Sequence, residues 1–221
     1  MKSKKYDIRK LTVLAMISAL AYISMFIIHI PVPPFLTYDP KDAVITIGAM
    51  FFGPISGILM SAIVAVAELA TVSDTGPYGL IMNFISSAVF SFTAPMIYKY
   101  RRKLSGAIIG LLCSVLAVTS VMMIANLLIT PHFMGVPVDE VAKLIPTLLL
   151  PFNLVKSVLN ASLVLLLYKP TITALRAVKL IDKKQSAADA KGNVKNTVVI
   201  TVVALAIIAL SLAAFWFIQT K

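Results

Sequence analysis

Apolar segments recur along the whole chain, near residues 11–30, 43–52, 54–72, 78–98, 105–130, 144–168 and 197–218. About 20 apolar residues make a helix that spans the hydrocarbon core of a bilayer. In that medium every backbone N–H and C=O must find its partner within the protein, which leaves helices as the natural choice for such runs. Charged residues are only 13% of the chain, against about 25% in an ordinary soluble domain. The expected fold class is therefore all-α, a polytopic membrane protein. The first segment follows a basic leader and meets no small-residue cleavage site before Pro31, so it reads as a span rather than a signal peptide.

The basic residues order these segments. Residues 43–52 are short for a span and run into the next segment through Phe51-Phe52-Gly53-Pro54, which reads as a tight turn between two helices, the first extended towards Pro40. With two crossings there, seven helices and a cytoplasmic N-terminus, 16 of the 20 Lys and Arg fall on one side. They cluster at Lys2–Lys10, at Lys99–Lys103 and from Lys169 to Lys195. The other side holds Lys41, Lys143 and the terminal Lys221. This is the positive-inside pattern. It also explains the net charge of +11 as membrane-edge charge, with no nucleic-acid partner implied. Residues 1–180 read as one membrane domain, 181–196 as a polar cytoplasmic linker and 197–221 as an appended transmembrane helix.

Polar residues inside the apolar runs mark the candidate site. Asn153, Lys156 and Asn160 follow one another at spacings of three and four, which puts them on one helical face. Lys156 lies roughly 12 Å along the helix from Leu148 at about 1.5 Å per residue. A lysine at that depth costs about 2.5–3.5 kcal/mol on insertion scales, so it calls for a polar cavity, a buried acid or a snorkelling path. Asn83 and Asn126 are further amides in apolar segments, and each taken alone is equally suited to helix–helix glue. Together with Asn153 and Lys156 they outline a pocket rich in hydrogen bonds, suited to an uncharged polar heteroaromatic. The outer loops carry aromatics (Phe35, Tyr38, Tyr78 and Phe133) among prolines, which stiffen a loop that is to cover a ligand. Interfacial aromatic belts have the same composition.

Catalytic machinery is not visible. There is no phosphate-binding loop, no G-x-S-x-G turn and no metal-ligand cluster, and His29 and His132 stand alone on outer loops. The single Cys113, in an apolar run, rules out a disulfide framework and a cysteine metal site. Glu68 lies near the outer end of its helix, as a proton site, a cavity cap or a contact to the loops. Ala15 and Ala19 make a flat small-residue strip that allows close approach of a helix, within the chain or from a partner.

Four stretches carry a family resemblance. These are Arg9 to Tyr22, Phe35 to Asp42 (F-L-T-Y-D-P-K-D), Asp74 to Phe84 (D-T-G-P-Y-G-L-I-M-N-F) and Pro151 to Lys156 (P-F-N-L-V-K). Over roughly residues 5–180 the chain resembles the substrate-binding S-components of energy-coupling factor (ECF) vitamin transporters, in particular the riboflavin-specific type. The resemblance implies a six-helix core, from which the C-terminal helix departs. It implies a multi-pass protein of the cell membrane that takes riboflavin from outside, as a transported ligand and not a cofactor. A transmembrane coupling subunit and two cytoplasmic ATPase subunits would supply the drive. By the same resemblance Asn126, Asn153 and Lys156 would hydrogen-bond the flavin. Leu36, Thr37, Tyr38 and Asp39 would form the capping loop, with Tyr78, Gly79 and Asn83 nearby, and Ala15 and Ala19 would face the coupling subunit. Besides this reading, the residues leave open an S-component for another vitamin, a proton-coupled transporter using Glu68 and Lys156, and a scaffold whose polar residues are only helix glue.

Overall fold

The computed structural model describes residues 3–73, 75–177 and 194–219. The chain folds into a helical bundle with one small β-hairpin. Helix α1 spans Ser3–Ile27, and the hairpin pairs β1 (Ile30–Val32) with β2 (Leu36–Tyr38). Its antiparallel register sets Ile30 opposite Tyr38 and Val32 opposite Leu36. Next come α2 (Lys41–Phe52), α3 (Pro54–Thr71), α4 (Gly76–Tyr100) and α5 (Leu104–Met134). A short α6 (Val138–Leu144) runs through one π-helical turn (Ile145–Leu149) into α7 (Leu150–Ala177). The last helix, α8, covers Val194–Gln219. The expected linker lies almost wholly outside the described residues.

Most boundaries have a local cause. Gly53 sits at φ 100°, a conformation disfavoured for residues with a Cβ, and Pro54 then opens α3, where its missing N–H is no loss. Gly135, at φ 66°, ends α5 in a left-handed cap. Pro146 lies within the π turn and Pro151 at the start of α7, both positions where an absent donor disturbs the helical ladder.

Residues 30–38 form the hairpin, and α2 begins at Lys41, directly after Pro40, towards which the sequence extends it. At about 1.5 Å per residue, α2 is only about 18 Å long, short of a hydrocarbon core of about 30 Å. It descends from the hairpin inside the bundle, with most of its residues buried. Among the described residues five helical stretches are long and apolar enough to cross a membrane: Lys10–Ile27, Pro54–Thr71, Gly76–Tyr100, Leu104–Met134 and Val138–Tyr168. The apolar stretch of α8, Thr201–Phe217, is somewhat shorter.

The bundle has its large apolar side chains outside as well as inside. Leu112, Leu116, Ile124 and Leu128 form an exposed row on α5, as a lipid-facing surface requires. Serines, threonines and asparagines are drawn to the interior, where small and polar side chains let helices approach. A Cβ on Gly57 would lie 2.5 Å from the Ser91 carbonyl oxygen, so α3 and α4 nearly touch there. At the end away from the hairpin, Phe51 stacks on Tyr168 with ring centroids 6.1 Å apart, and the Tyr98 and Tyr168 hydroxyls hydrogen-bond.

Candidate ligand cavity

The hairpin closes one end of the bundle and leaves a cavity of about 520 Å³ beneath it. Its walls come from the hairpin and from α1, α3, α4, α5 and α7. The volume is within the range of about 300–1,000 Å³ typical of small-molecule sites.

The hairpin side of the cavity is held by charge. Lys41, at the start of α2, is 1% exposed, and its Nζ donates to Asp39 Oδ2 at 3.1 Å and to Glu68 Oε2 at 2.8 Å. The Lys41 backbone N–H also donates to Asp39 Oδ1 at 3.1 Å. Glu68 is shared, since its Oε1 accepts from Asn83 Nδ2 at 2.7 Å. Lys156 approaches from α7, with Nζ 3.9 Å from Asp39 Oδ2 and 3.5 Å from the Thr37 carbonyl oxygen. Asp42 accepts from the Ser87 hydroxyl. Three carboxylates and two ammoniums thus neutralise most of one another in a medium where a lone charge is costly. The network ties the hairpin to α2, α3, α4 and α7 at once.

The helical walls present amides. Asn126 donates to the Met122 carbonyl oxygen at 2.7 Å and accepts from the Thr130 hydroxyl at 2.9 Å. Asn153 donates to the Leu149 carbonyl oxygen at 2.8 Å. A side-chain amide has two N–H donors, so bonds to the helix leave a donor on each asparagine for a ligand. Near the mouth, Phe133 meets Phe35 edge-on with centroids 5.8 Å apart, and Tyr78 at 6.1 Å. An apolar, partly aromatic enclosure with convergent amide and ammonium groups suits a planar solute bearing hydrogen-bonding edges. No cluster of potential metal ligands occurs among the described residues.

Nine of the ten expected ligand residues line this cavity: Leu36, Thr37, Asp39, Tyr78, Gly79, Asn83, Asn126, Asn153 and Lys156. Tyr38 does not. Its ring turns to the far side of the hairpin, packs 5.3 Å from the ring of Phe215, and its hydroxyl donates to Asn160 Oδ1 at 3.5 Å. Asn160, one turn beyond Lys156, is thereby engaged with the hairpin and is not part of the cavity wall. Lys41, counted from sequence among outer-loop charges, is instead buried in the ion network. Ala15 and Ala19 are exposed on α1, next to exposed Met16 and Leu20, while Leu14, Ser18 and Ala21 face inward.

The sequence profile of the family described as ECF transporter, substrate-specific component, matches residues 9–168. This chain belongs to that family. It is an S component, an integral membrane protein that serves transport and is not an enzyme. It is 28% identical over 179 residues to the riboflavin transporter RibU of Staphylococcus aureus (strain TCH60), covering 77% of this chain and 94% of that relative. It is 27% identical over 188 residues to the riboflavin transporter FmnP of Bacillus subtilis (strain 168), covering 78% and 98%. The fold matches a solved structure of the S component of a bacterial ECF transporter with a TM-score of 0.65 and 28% identity, over 77% of this chain and 99% of that one. The family match ends at residue 168, so α8 lies beyond it.

Proposed function

We propose that this S component binds riboflavin in the cavity beneath the hairpin and delivers it across the cell membrane. The observation that carries the reading is the pairing of Asn126, Asn153 and Lys156 with the Phe35–Tyr78–Phe133 aromatic mouth around one cavity of about 520 Å³. The amides and the ammonium complement the carbonyl and imide edge of an isoalloxazine, and the aromatics complement its faces. Leu36, Thr37 and Asp39 cap the ligand, Tyr78, Gly79 and Asn83 complete the enclosure, and Tyr38 acts by holding the hairpin.

The orientation follows the charge bias, with the N-terminus cytoplasmic and the hairpin outside. The sequence has no nucleotide-binding loop, so the drive comes from a transmembrane coupling subunit and two ATPase subunits, docked at the Ala15/Ala19 face of α1. A stand-alone proton-coupled mechanism is less well supported, because Glu68 and Lys156 are both held in the ion network.

Purified protein tests this. Riboflavin should copurify in about equimolar amount, and its fluorescence should be quenched on binding. Copurification of a different vitamin, with no response to flavin, would overturn the ligand assignment.

A further inference from the structure

The C-terminal helix reads from sequence as an anchor set apart from the site, yet its Phe215 packs behind Phe152, a residue of the cavity wall. Phe215 of α8 is 1% exposed, in a cluster with Val32, Tyr38, Phe152 and Leu159. Its ring lies 5.3 Å from that of Tyr38 and 5.7 Å from that of Phe152. Phe152 is itself a cavity wall residue, and Tyr38 ends the second strand of the hairpin. Ile208, two turns earlier on α8, packs on the same cluster.

We infer that α8 is an intramolecular buttress of the hairpin, with Phe215 the positioning residue that sets how readily the hairpin opens over the cavity. The hairpin is held on both of its sides. On the cavity side Asp39 is tied to Lys41 and Lys156. On the far side Tyr38 has its hydroxyl on Asn160 and its ring against Phe215. A two-stranded hairpin is at best marginal by itself, so what packs against its back decides how often it lifts. Phe215 fills the angle between the hairpin and α7, and an opening hairpin must leave that contact. The family match stops before α8, so this device belongs to this chain's own extension and not to the shared core. Its consequence for ligand exchange rests on the riboflavin reading, whereas its consequence for the hairpin does not.

The test uses the full chain in three forms: wild type, Phe215→Ala and Trp216→Ala. Trp216 is 69% exposed on the same helix and serves as the control. Amide hydrogen exchange across residues 36–39, without ligand, reports hairpin opening directly. Phe215→Ala should speed that exchange by about 3- to 10-fold, the scale of losing one or two aromatic contacts, while Trp216→Ala leaves it at the wild-type rate. Phe215→Leu keeps much of the apolar volume and carries the same comparison if the alanine variant does not fold, with a smaller acceleration expected. Riboflavin release, followed by fluorescence recovery, should accelerate in parallel. Unchanged hairpin exchange in a folded Phe215 variant, or equal acceleration in Trp216→Ala, overturns the buttress. Should wild type bind no riboflavin, the ligand assignment fails while the exchange comparison still decides the role of Phe215.

Discussion

Lys41 Nζ lies 2.8 Å from Glu68 Oε2, joining the first residue of α2 to the last turn of α3 in the interior of the bundle. Removing one partner of a buried pair leaves the other charge uncompensated, at a cost of about 3–5 kcal/mol. Lys41→Met abandons both Glu68 and Asp39, to which the same ammonium donates. The expected outcome is a marked fall in thermal stability in detergent. A partial recovery in the Lys41→Met/Glu68→Gln double variant would attribute the loss to the stranded carboxylate. A single variant as stable as wild type would mean that the pair is solvated.

Lys156 differs, because Asp39 keeps Lys41 when Lys156 is gone. Lys156→Met should therefore leave the fold intact and weaken riboflavin binding by about 1.5–3 kcal/mol, the worth of a hydrogen bond from a charged donor. Titration by fluorescence quenching reads this directly. Wild-type affinity in the variant would restrict Lys156 to bridging Asp39 and Thr37.

The contrast between these two lysines shows what was legible in the sequence. Lys156 stands in an apolar run with amides at helical spacing, and one-dimensional reading finds it at once. Lys41 sits among prolines and acids at the edge of an apolar segment, where it looks like an ordinary boundary charge. Its burial depends on Glu68, 27 residues away, and on the hairpin folding inward. Three-residue strands are too short for a period-2 pattern to show, so Tyr38 could not be assigned to the hairpin's far face before the register was known. Phe215 was hidden for the opposite reason. An α8 that is apolar on all sides has no periodicity to say which face is buried. The order of the long helices was readable, because a bilayer calls for apolar runs of span length.

Close approach of α3 and α4 makes a separate prediction. A methyl group on Gly57 would sit 2.5 Å from the Ser91 carbonyl oxygen and 2.9 Å from the Ala49 Cβ, and the first of these atoms is backbone. The helices must separate to accept it. Gly57→Ala should cost about 1–3 kcal/mol, as overpacking does in a filled interior. Ser61 on the next turn, which bonds Ser91 at 3.2 Å, should lose that contact as the helices part. Thermal unfolding of the variant in detergent gives the answer, and a melting curve superimposable on wild type would show that the crossing has slack.

The exposed α1 strip gives the last prediction. Ala15 and Ala19 leave a shallow track flanked by the large exposed side chains of Met16, Leu20 and Ile23. Towards the N-terminus the track is bounded by Thr12, whose hydroxyl bonds back to the Ile8 carbonyl oxygen at 3.0 Å. Without a hydrophobic driving force between helices in lipid, a partner gains mainly from backbone proximity, which only small residues permit. Ala19→Phe fills the track while leaving the inward face of α1 (Leu14, Ser18 and Ala21) untouched. Riboflavin binding by the isolated protein should therefore match wild type. Uptake in cells that carry the coupling subunit and ATPases should fall strongly, and the complex should dissociate more easily on purification. Loss of binding and uptake together would place the strip in the fold of the S component. Full uptake with Ala19→Phe would move the docking surface to another face.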